Sequence, residues 1–388
     1  MKVLIAPDSF KECLSAVEVA ETMAAGVRAV VGDAEIDLCP MADGGEGTVS
    51  ATLAATGGEI RTVEVSGPLG EPVRASFGLL GPLATSDDGP RAGRTAVIEM
   101  AAASGLELVE PGRRNPTLTT TYGVGELIVA AIDAGAAEVI VGIGGSATVD
   151  GGCGCAQALG ARFTDAAGQP CVCGITGAGL PLVHHVDVSG RHPRIQAVRL
   201  LVACDVTNPL TGPEGAAVVY GPQKGATPEM VDVLEAGLVH LAGVIRRDLG
   251  LDVEHMPGAG AAGGLGAGLV AFAGARLLPG VEIVAQAVGL ARRLEHADLC
   301  ITGEGRFDHQ SLSGKTAVGV ARLASAATVP VVCIPGQVDA GVDHGGLFAD
   351  IRPLAAGDVS QAKAMAHARE LLTQRTAEVV AAFAGGIL

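Results

Sequence analysis

The sequence KVLIAPDSFK, residues 2–11, predicts a buried β-strand that ends in a polar loop. The apolar run stops at Pro7, and charged side chains follow it. Downstream, Ser15 and Glu18 form a capping box, which predicts a helix that begins here and runs to about Val31. A strand, a loop and a helix in this order are the first half of a βαβ unit, so the N-terminal residues already favour a parallel α/β fold.

The same alternation of strand and helix recurs next along the chain and again in its last hundred residues. Glu35–Cys39 reads as a second strand, and residues 41–48 lead into a second helix. Near the C-terminus the pattern predicts strands at Leu299–Thr302 and Val329–Ile334, with helices from Lys315 and from about Ser360. We therefore predict a Rossmann-like parallel α/β domain built from both chain ends, residues 1–60 plus 290–388.

The middle of the chain has a different pattern of apolar and polar residues. Residues 60–65 and 73–80 alternate apolar and polar positions around a Gly-Pro-Leu-Gly turn, which predicts antiparallel strands. Further predictions are a loop at 82–94, helices at 117–134 and 228–249, strands at 139–142 and 198–204, and a glycine-rich run at 257–280 that favours a buried, close-packed helix. We predict that residues 61–289 form an inserted mixed α/β domain, which makes the whole an α/β protein of two domains.

Composition excludes several classes of function. The chain has 388 residues, a net charge of −16, no Trp, two Tyr and seven Phe, so a nucleic-acid partner is not expected. The apolar N-terminal run is too short for a signal peptide, and no segment predicts a membrane span, so we expect a cytoplasmic protein. If the substrate is an anion, a divalent cation such as Mg²⁺ would offset the acidic background.

Lysine is scarce and is concentrated in glycine-rich loops. Of 26 basic residues only five are Lys, and three of them, Lys11, Lys224 and Lys315, fall in such loops. Lys is a compact charge that fits beside a phosphate, and a Gly-Lys-Thr helix start adds backbone N–H groups. These lysines predict phosphate chemistry, although ordinary solvated surface lysines would give the same pattern.

Acidic residues recur directly after predicted strands, at Asp8, Asp43, Asp205 and Asp308. In open parallel sheets, ligands bind outside the carboxyl ends of the strands, so these loops can converge on one cleft. The competing interpretation is that each Asp only caps a helix or a turn.

Two segments imitate the dinucleotide-binding fingerprint. Residues 142–147 fit G-x-G-x-x-A after a strand, and residues 258–263 fit G-x-G-x-x-G. The first runs into another glycine-rich loop instead of a helix, and the second lacks a clear preceding strand. We interpret the first as a nest of backbone N–H groups that cradles an anion, and keep NAD binding as the weaker interpretation.

Six motifs, taken together and in order, closely resemble the bacterial class I glycerate kinases. They are APDSFK (6–11), MADGGEGT (41–48), GIGGSATVDGG (142–152), DVTNPL (205–210), GPQKG (221–225) and TGEGRFD (302–308). The resemblance covers nearly the whole chain. It implies ATP-dependent, Mg²⁺-assisted phosphorylation of D-glycerate, usually to 2-phosphoglycerate, by a two-domain α/β enzyme with its active site in the interdomain cleft.

Within these motifs we assign roles by residue chemistry. Asp205 is the predicted general base with Asp43 as reserve, Lys11 supplies positive charge to the catalytic centre, and Glu304 and Asp308 are the candidate Mg²⁺ ligands. The predicted contacts to substrate or phosphate are Ser9, Gly44, Gly45, Glu46, Gly144, Gly145, Ser146, Asn208, Lys224, Arg306 and Lys315.

Three functions stay open at this point. The first is the kinase with ATP and D-glycerate as its small-molecule partners, acting as a monomer or a homodimer. The second is an NAD-linked hydroxy-acid dehydrogenase built on the two Gly-x-Gly segments. The third is a non-catalytic protein that captures a small anion between two lobes.

Overall fold

The structure is a computed structural model that describes residues 1–81, 93–309, 311–313, 315–343 and 345–386. The predicted loop at 82–94 lies outside the described residues except for its last two positions. Its final residue, Arg94, already belongs to a strand.

The strands are β1 Lys2–Ile5, β2 Glu35–Leu38, β3 Gly58–Ser66, β4 Pro72–Leu80, β5 Arg94–Glu99, β6 Ala136–Gly142, β7 Arg162–Thr164, β8 His185–Asp187, β9 Arg199–Ala203, β10 Arg276–Leu278, β11 Leu299–Thr302, β12 Arg306–Phe307, β13 Val331–Cys333, β14 Gln337–Val338 and β15 Asp350–Ile351. The α-helices are α1 Ala16–Val30, α2 Thr48–Thr56, α3 Ala101–Ser104, α4 Tyr122–Asp133, α5 Cys153–Ala158, α6 Ala216–Tyr220, α7 Pro228–Leu249, α8 Ala261–Ala273, α9 Gly280–Val288, α10 Leu290–Leu294, α11 Thr316–Ala326, α12 Gln361–Ala366 and α13 Ala368–Ala384. Short 3-10 helices occur at Leu106–Leu108, Pro111–Arg113, Gly177–Leu182, Ile195–Ala197, Pro222–Lys224 and Ser311–Ser313.

The first sheet is built from the two ends of the chain. Its strand order is β15-β13-β11-β1-β2, and every neighbouring pair is parallel. One face packs on α1 and α13, and the other packs on α2, α9 and α11. The capping box of α1 is present, because Ser15 Oγ accepts from Glu18 N while the Glu18 carboxylate accepts from Ser15 N. The α/β class and the parallel sheet predicted from the N-terminal residues are confirmed.

The second sheet comes from the middle of the chain. Its order is β10-β9-β6-β5-β4-β3, with parallel pairing from β10 to β5 and antiparallel pairing from β5 to β3. The predicted antiparallel pair is therefore present and forms one edge of this mixed sheet. One of its faces is covered by α4 and by the C-terminal part of α8.

Two helices lie between the sheets and pack against both. Val49 and Leu53 of α2, with Ile283 and Ala287 of α9, join the apolar residues on one face of the second sheet. Ala55 of α2 and several residues of α9 also belong to the core of the first sheet. The division into domains at residues 1–60 plus 290–388 and 61–289 stays a proposal, and these shared helices are the layer that would join the two.

Two helix predictions in the middle segment need correction. The helix predicted at 117–134 begins at Tyr122, because the buried Asp150 carboxylate accepts hydrogen bonds from Thr121 N and Thr121 Oγ1, 2.7 Å each, and holds that residue outside the helix. In the glycine-rich run, Ala262 and the two glycines after it have positive φ, so regular helix in α8 starts only after them. In the part of the chain that the structure describes, every helix is too short or too polar to cross a lipid bilayer.

Candidate active site

A cavity of about 280 Å³ opens between the loops that follow β1 and β11. From β1 the chain moves first to β2 on one side and later returns to β11 on the other, so the strand order reverses between β1 and β11. Ligands of open α/β sheets bind at such a switch point, outside the carboxyl ends of the strands. The polar residues of the cavity wall are Asp8, Ser9, Lys11, Glu12, Asp43, Glu304, Arg306, Asp308, Lys315, Gln337 and Gln361.

Asp8 links the loop after β1 to the start of α11. Its carboxylate accepts from Thr316 Oγ1 at 2.5 Å and from Ser9 N at 2.6 Å. Burial and the nearby Asp43 raise the pKa of Asp8 to about 6, against the opposing effect of those hydrogen bonds. Since Lys315 immediately precedes α11, the contact between Asp8 and Thr316 brings Lys315 to the same cavity.

Asp205 lies next to this cavity, on the loop after β9. Its Oδ1 accepts a hydrogen bond from Gly280 N at 2.9 Å, and its charge interacts with those of Asp43 and Lys315. The Asp205 side chain is solvent-accessible, but the protein atoms around it reduce its hydration and raise its pKa to about 6. The negative charge of Asp43 raises this pKa as well. The carboxyl ends of both sheets therefore contribute to one charged centre.

Glu304 is the most deeply buried carboxylate of the cavity wall, at 7% exposure. Burial raises the pKa of Glu304 to about 8, and Asp8 and Asp308 raise it further while Ser311 and Lys315 lower it. Among the described residues, Glu304 Oε1 has no hydrogen-bond partner. Asp308 is held by its own loop, where its Oδ1 accepts from Ser311 N at 3.0 Å.

The loop after β6 approaches this centre from the second sheet. A Cβ at Gly142 would lie 2.1 Å from the carbonyl oxygen of Gly44, so the loops after β2 and β6 touch backbone to backbone. Gly144 and Gly145 are exposed, and no described residue accepts a hydrogen bond from their amide N–H groups. Two amide donors here are therefore available for an anion.

Lys224 does not line the cavity and is buried instead, at 2% exposure. Its ammonium donates to Ser146 Oγ and to the carbonyl oxygen of Thr148, 2.7 Å in each case. Burial lowers the pKa of Lys224 to about 7, and the Asp150 carboxylate opposes this shift. In this structure Lys224 supports the loop that carries Gly144 and Gly145.

Comparison with known proteins decides the family. The model of the glycerate kinase family matches residues 3–384. The chain belongs to the glycerate kinase family. The resemblance found in the six sequence motifs is thereby confirmed.

Individual relatives of the family cover almost the whole chain. The chain is 50% identical over 388 residues to the glycerate kinase of Bacillus subtilis (strain 168), which covers 98% of this chain and 97% of the relative. It is 50% identical over 346 residues to the glycerate 2-kinase of Escherichia coli (strain K12), covering 89% of this chain and 88% of the relative. A crystal structure described as a glycerate kinase 2 from Salmonella typhimurium LT2 matches with a TM-score of 0.87 and 48% identity, covering 100% of this chain and 99% of that one.

Within this family member, several predicted contact residues are engaged inside the protein. Gly45 N donates to Asp43 Oδ1 at 3.1 Å. The Asn208 amide donates to the carbonyl oxygen of Glu214 and accepts from the Tyr220 hydroxyl, at 2.8 and 2.6 Å. Arg306 lines the cavity but pairs through two nitrogens with the Asp339 carboxylate, at 2.9 and 2.8 Å.

A carboxylate from outside the loop 43–47, Glu99 at the end of β5, caps the helix that follows the loop, and sequence reasoning missed it. The Glu99 carboxylate accepts from Val49 N at 2.8 Å, at the N-terminus of α2. Burial raises the pKa of Glu99, and the charge of Glu46 contributes in the same direction. Glu99 therefore occupies the helix start that the glycines of this loop lead into, and Glu46 lies within electrostatic reach of it.

Asp8, Gly280 and Thr316 are site residues that the sequence does not predict, although Asp8 follows a predicted strand. The available signal for Asp8 was its position directly after β1, in the same motif as Ser9 and Lys11. Gly280 carried no such signal, because its role depends on Asp205, which lies 75 residues away in sequence.

Gly280 provides a test of how tightly the site is assembled. A Cβ at this position would lie 1.8 Å from the carbonyl oxygen of Asp43. This oxygen is a backbone atom, so it can move only if the loop moves with it. We expect Gly280→Ala to displace the loop of Asp43, to destabilise the fold by about 1–3 kcal/mol, and to lower kcat/KM by at least about tenfold.

The matched control is Gly243→Ala. Gly243 lies within α7 with no atom near the position of an added Cβ. This variant should gain about 0.5–1 kcal/mol of stability and keep its activity. Urea unfolding and steady-state kinetics on both variants decide the matter, and wild-type kinetics in Gly280→Ala would contradict the close packing described for the site.

Proposed function

We propose that this chain is an ATP-dependent kinase that transfers a phosphoryl group to the 2-hydroxyl of D-glycerate, giving 2-phosphoglycerate. The observation that carries the proposal is the cavity at the switch point, where Asp8, Lys11, Asp43 and Lys315 share one wall and Asp205 lies within electrostatic reach. Phosphoryl transfer requires mainly positioning and charge stabilisation, which such a site can supply without a nucleophilic side chain. An ATP-dependent reaction also agrees with the predicted cytoplasmic location.

The proposed roles follow from position. Asp205 accepts the proton of the glycerate hydroxyl, because it is an ionisable carboxylate at the edge of the cavity and is held by Gly280 N. Lys11 and Lys315 neutralise the phosphates of ATP. The free amides of Gly144 and Gly145 bind the glycerate carboxylate, and Lys224 keeps their loop in place through Ser146.

Mg²⁺ fits the acidic side of the cavity. Five carboxylates, from Asp8, Glu12, Asp43, Glu304 and Asp308, line the cavity together with Lys11, Arg306 and Lys315, and Asp205 lies beside them. Glu304 Oε1 is buried without a hydrogen-bond partner, so it is available to coordinate a metal ion. Glu304 and Asp308 would hold the ion. Within the described ranges no group of three His, Cys, Asp or Glu could hold a metal by itself, so water and the substrate phosphates would have to supply the remaining ligands. Bound there, Mg²⁺ would offset charge on the transferring phosphoryl group.

Replacing Glu304 with Gln tests the metal assignment. Glu304→Gln keeps the shape of the side chain and removes its anionic charge. We expect the Mg²⁺ concentration needed for half-maximal activity to rise by at least about tenfold, and the stabilisation of the protein by ADP to require correspondingly more Mg²⁺. An unchanged Mg²⁺ dependence in both measurements would exclude Glu304 as a ligand.

The pH dependence of the reaction follows from Asp205. The base must be ionised, and the pKa of Asp205 is raised to about 6 by the surrounding protein atoms, with a contribution from the charge of Asp43. Activity should therefore rise with pH through about 6 and level off above it. Asp43→Asn removes the neighbouring negative charge, so the acid limb should move to lower pH. A limb that stays in place in this variant would argue against Asp205 as the titrating group.

The product distinguishes this proposal from its alternatives. With ATP, Mg²⁺ and D-glycerate, we expect ADP release and a phosphorus NMR doublet, because a phosphate on C2 couples to a single proton. A triplet would indicate phosphorylation at C3. Reduction of NAD⁺ with glycerate would favour the dehydrogenase, and saturable glycerate binding without ADP release would favour an anion-binding protein. Neither Gly-x-Gly segment has the context that a dinucleotide fingerprint requires, because residues 142–147 do not lead directly into a helix and residues 258–263 do not follow a strand.

A further inference from the structure

The cavity at the switch point has an apolar end as well as a charged one. Phe10, Leu354, Ala364 and Ala368 line it and belong to one hydrophobic cluster, with exposures of 4%, 1%, 4% and 5%. Met365 lies beside them and is 42% exposed. Cys13 connects the two sides of this apolar end, since its thiol lies 3.5 Å from the carbonyl oxygen of Met365.

The charged end is formed by a different set of residues. Asp8 interacts electrostatically with Lys11 and Asp43, and Glu304 interacts with Asp8, Asp308 and Lys315. A ligand that fills the cavity must therefore present an apolar surface to one end. To the other end it must present charged groups that suit both lysines and carboxylates, as the phosphates of a Mg²⁺-bound nucleotide would. D-glycerate does not meet this requirement, because it is a small hydroxy acid with no apolar surface to bury.

On the basis of the kinase function proposed above, we propose that the apolar end binds the purine base of ATP and so fixes the direction in which the nucleotide lies. The base packs between Phe10 and the side chain of Met365, and the phosphates extend toward Lys11 and Lys315. D-glycerate then enters from the opposite side, where Asp205, Gly144 and Gly145 lie.

Three observations support a base in this position. The chain has no Trp and only two Tyr, neither of which lines the cavity, so the base must be bound by other side chains. The polarisable thioether of an exposed Met makes favourable contacts with aromatic rings. Gln337 and Gln361 also line the cavity, and no described residue hydrogen-bonds to either side-chain amide, so both can pair with the edge of a base. A volume of about 280 Å³ is close to the lower limit for small-molecule sites.

Charge substitutions at Met365 test this orientation. Met365 is exposed enough for Met365→Asp, Met365→Lys and Met365→Leu to fold, and the probe is Mg²⁺·ADP measured by calorimetry without glycerate. If Met365 contacts the base, both charged variants should weaken ADP binding by at least about tenfold, while Met365→Leu stays within about threefold. If Met365 lies instead near the phosphates, Asp would weaken binding and Lys would strengthen it.

Val172→Asp is the matched control, because Val172 is an apolar residue with 79% exposure that does not line the cavity. It should bind ADP as the wild type does. Opposite effects of Met365→Asp and Met365→Lys, or wild-type affinity in both, would overturn the proposal. Because glycerate is absent from this measurement, the proposed acceptor is tested separately. If the Met365 variants bind ADP as predicted but the wild-type protein does not phosphorylate glycerate, the proposed function is refuted and the proposed base site is retained.

Discussion

Asp205→Asn is expected to lower kcat by a factor of about 10²–10⁴, the usual contribution of a positioned general base. The amide can still accept from Gly280 N, so the loop after β9 should keep its conformation while the proton acceptor is lost. The affinity for ADP should change little, since Asp205 does not line the cavity in which we propose that the nucleotide binds. Steady-state kinetics with D-glycerate and calorimetry with Mg²⁺·ADP measure the two effects separately.

Asp232→Asn is the matched control for this substitution. Asp232 is an exposed residue of α7, remote from the cavity wall. Its kinetics should equal those of the wild type. If Asp205→Asn retained kcat within a few-fold of wild type, another group would have to take the proton, and Asp43 is the carboxylate that would be examined next.

Lys224→Met is expected to reduce the free energy of unfolding by about 2–4 kcal/mol. The substitution leaves Ser146 Oγ and the Thr148 carbonyl oxygen without their buried donor. It also removes the positive charge that offsets the negative charge of the buried Asp150 carboxylate. Lys363→Met, at an exposed lysine of α12, should stay within about 0.5 kcal/mol of wild type. Urea unfolding at pH 7 measures both.

The pH dependence of the free energy of unfolding provides a second test of the role of Lys224. Its pKa falls from 10.5 to about 7 on folding, so between those values the unfolded chain binds more protons than the folded one. The contribution of Lys224 to stability therefore rises with pH across this window and is lost as pH falls toward 7. The slope should disappear in Lys224→Met and persist in Lys363→Met. Parallel profiles in all three proteins would contradict the lowered pKa of Lys224 in the folded protein.

The fold was largely predictable because its signals are local. The capping box at Ser15, the apolar run after Met1 and the strand at Leu299–Thr302 each depend on a few neighbouring residues, and the structure contains all three elements. The late start of α4 was not predictable, because the side chain that holds Thr121 out of the helix is Asp150, 29 residues away.

The site was predictable only in part, for the same reason. Position after a strand identified Asp43, Asp205 and Asp308, since the ends of parallel strands converge. The same reasoning could not distinguish Lys224 from Lys315, because both follow glycine-rich turns. Lys315 lines the cavity, whereas Lys224 is buried and does not line it. This difference depends on the packing of distant segments.

The pairing of Arg306 with Asp339 and the capping of α2 by Glu99 are further examples of long-range contacts that no local pattern reveals. Each uses a charge or a set of amides that the sequence alone leaves available for substrate. Residue types in motifs therefore indicated the family correctly, while the bonding of each side chain required the structure.

A crystal structure with Mg²⁺, ADP and D-glycerate tests the central claim most directly. The account predicts that the phosphates lie against Lys11 and Lys315, and that the 2-hydroxyl of glycerate lies within about 2.6–3.2 Å of the Asp205 carboxylate. Phosphates bound outside the cavity between β1 and β11, or a glycerate hydroxyl remote from Asp205, would contradict it.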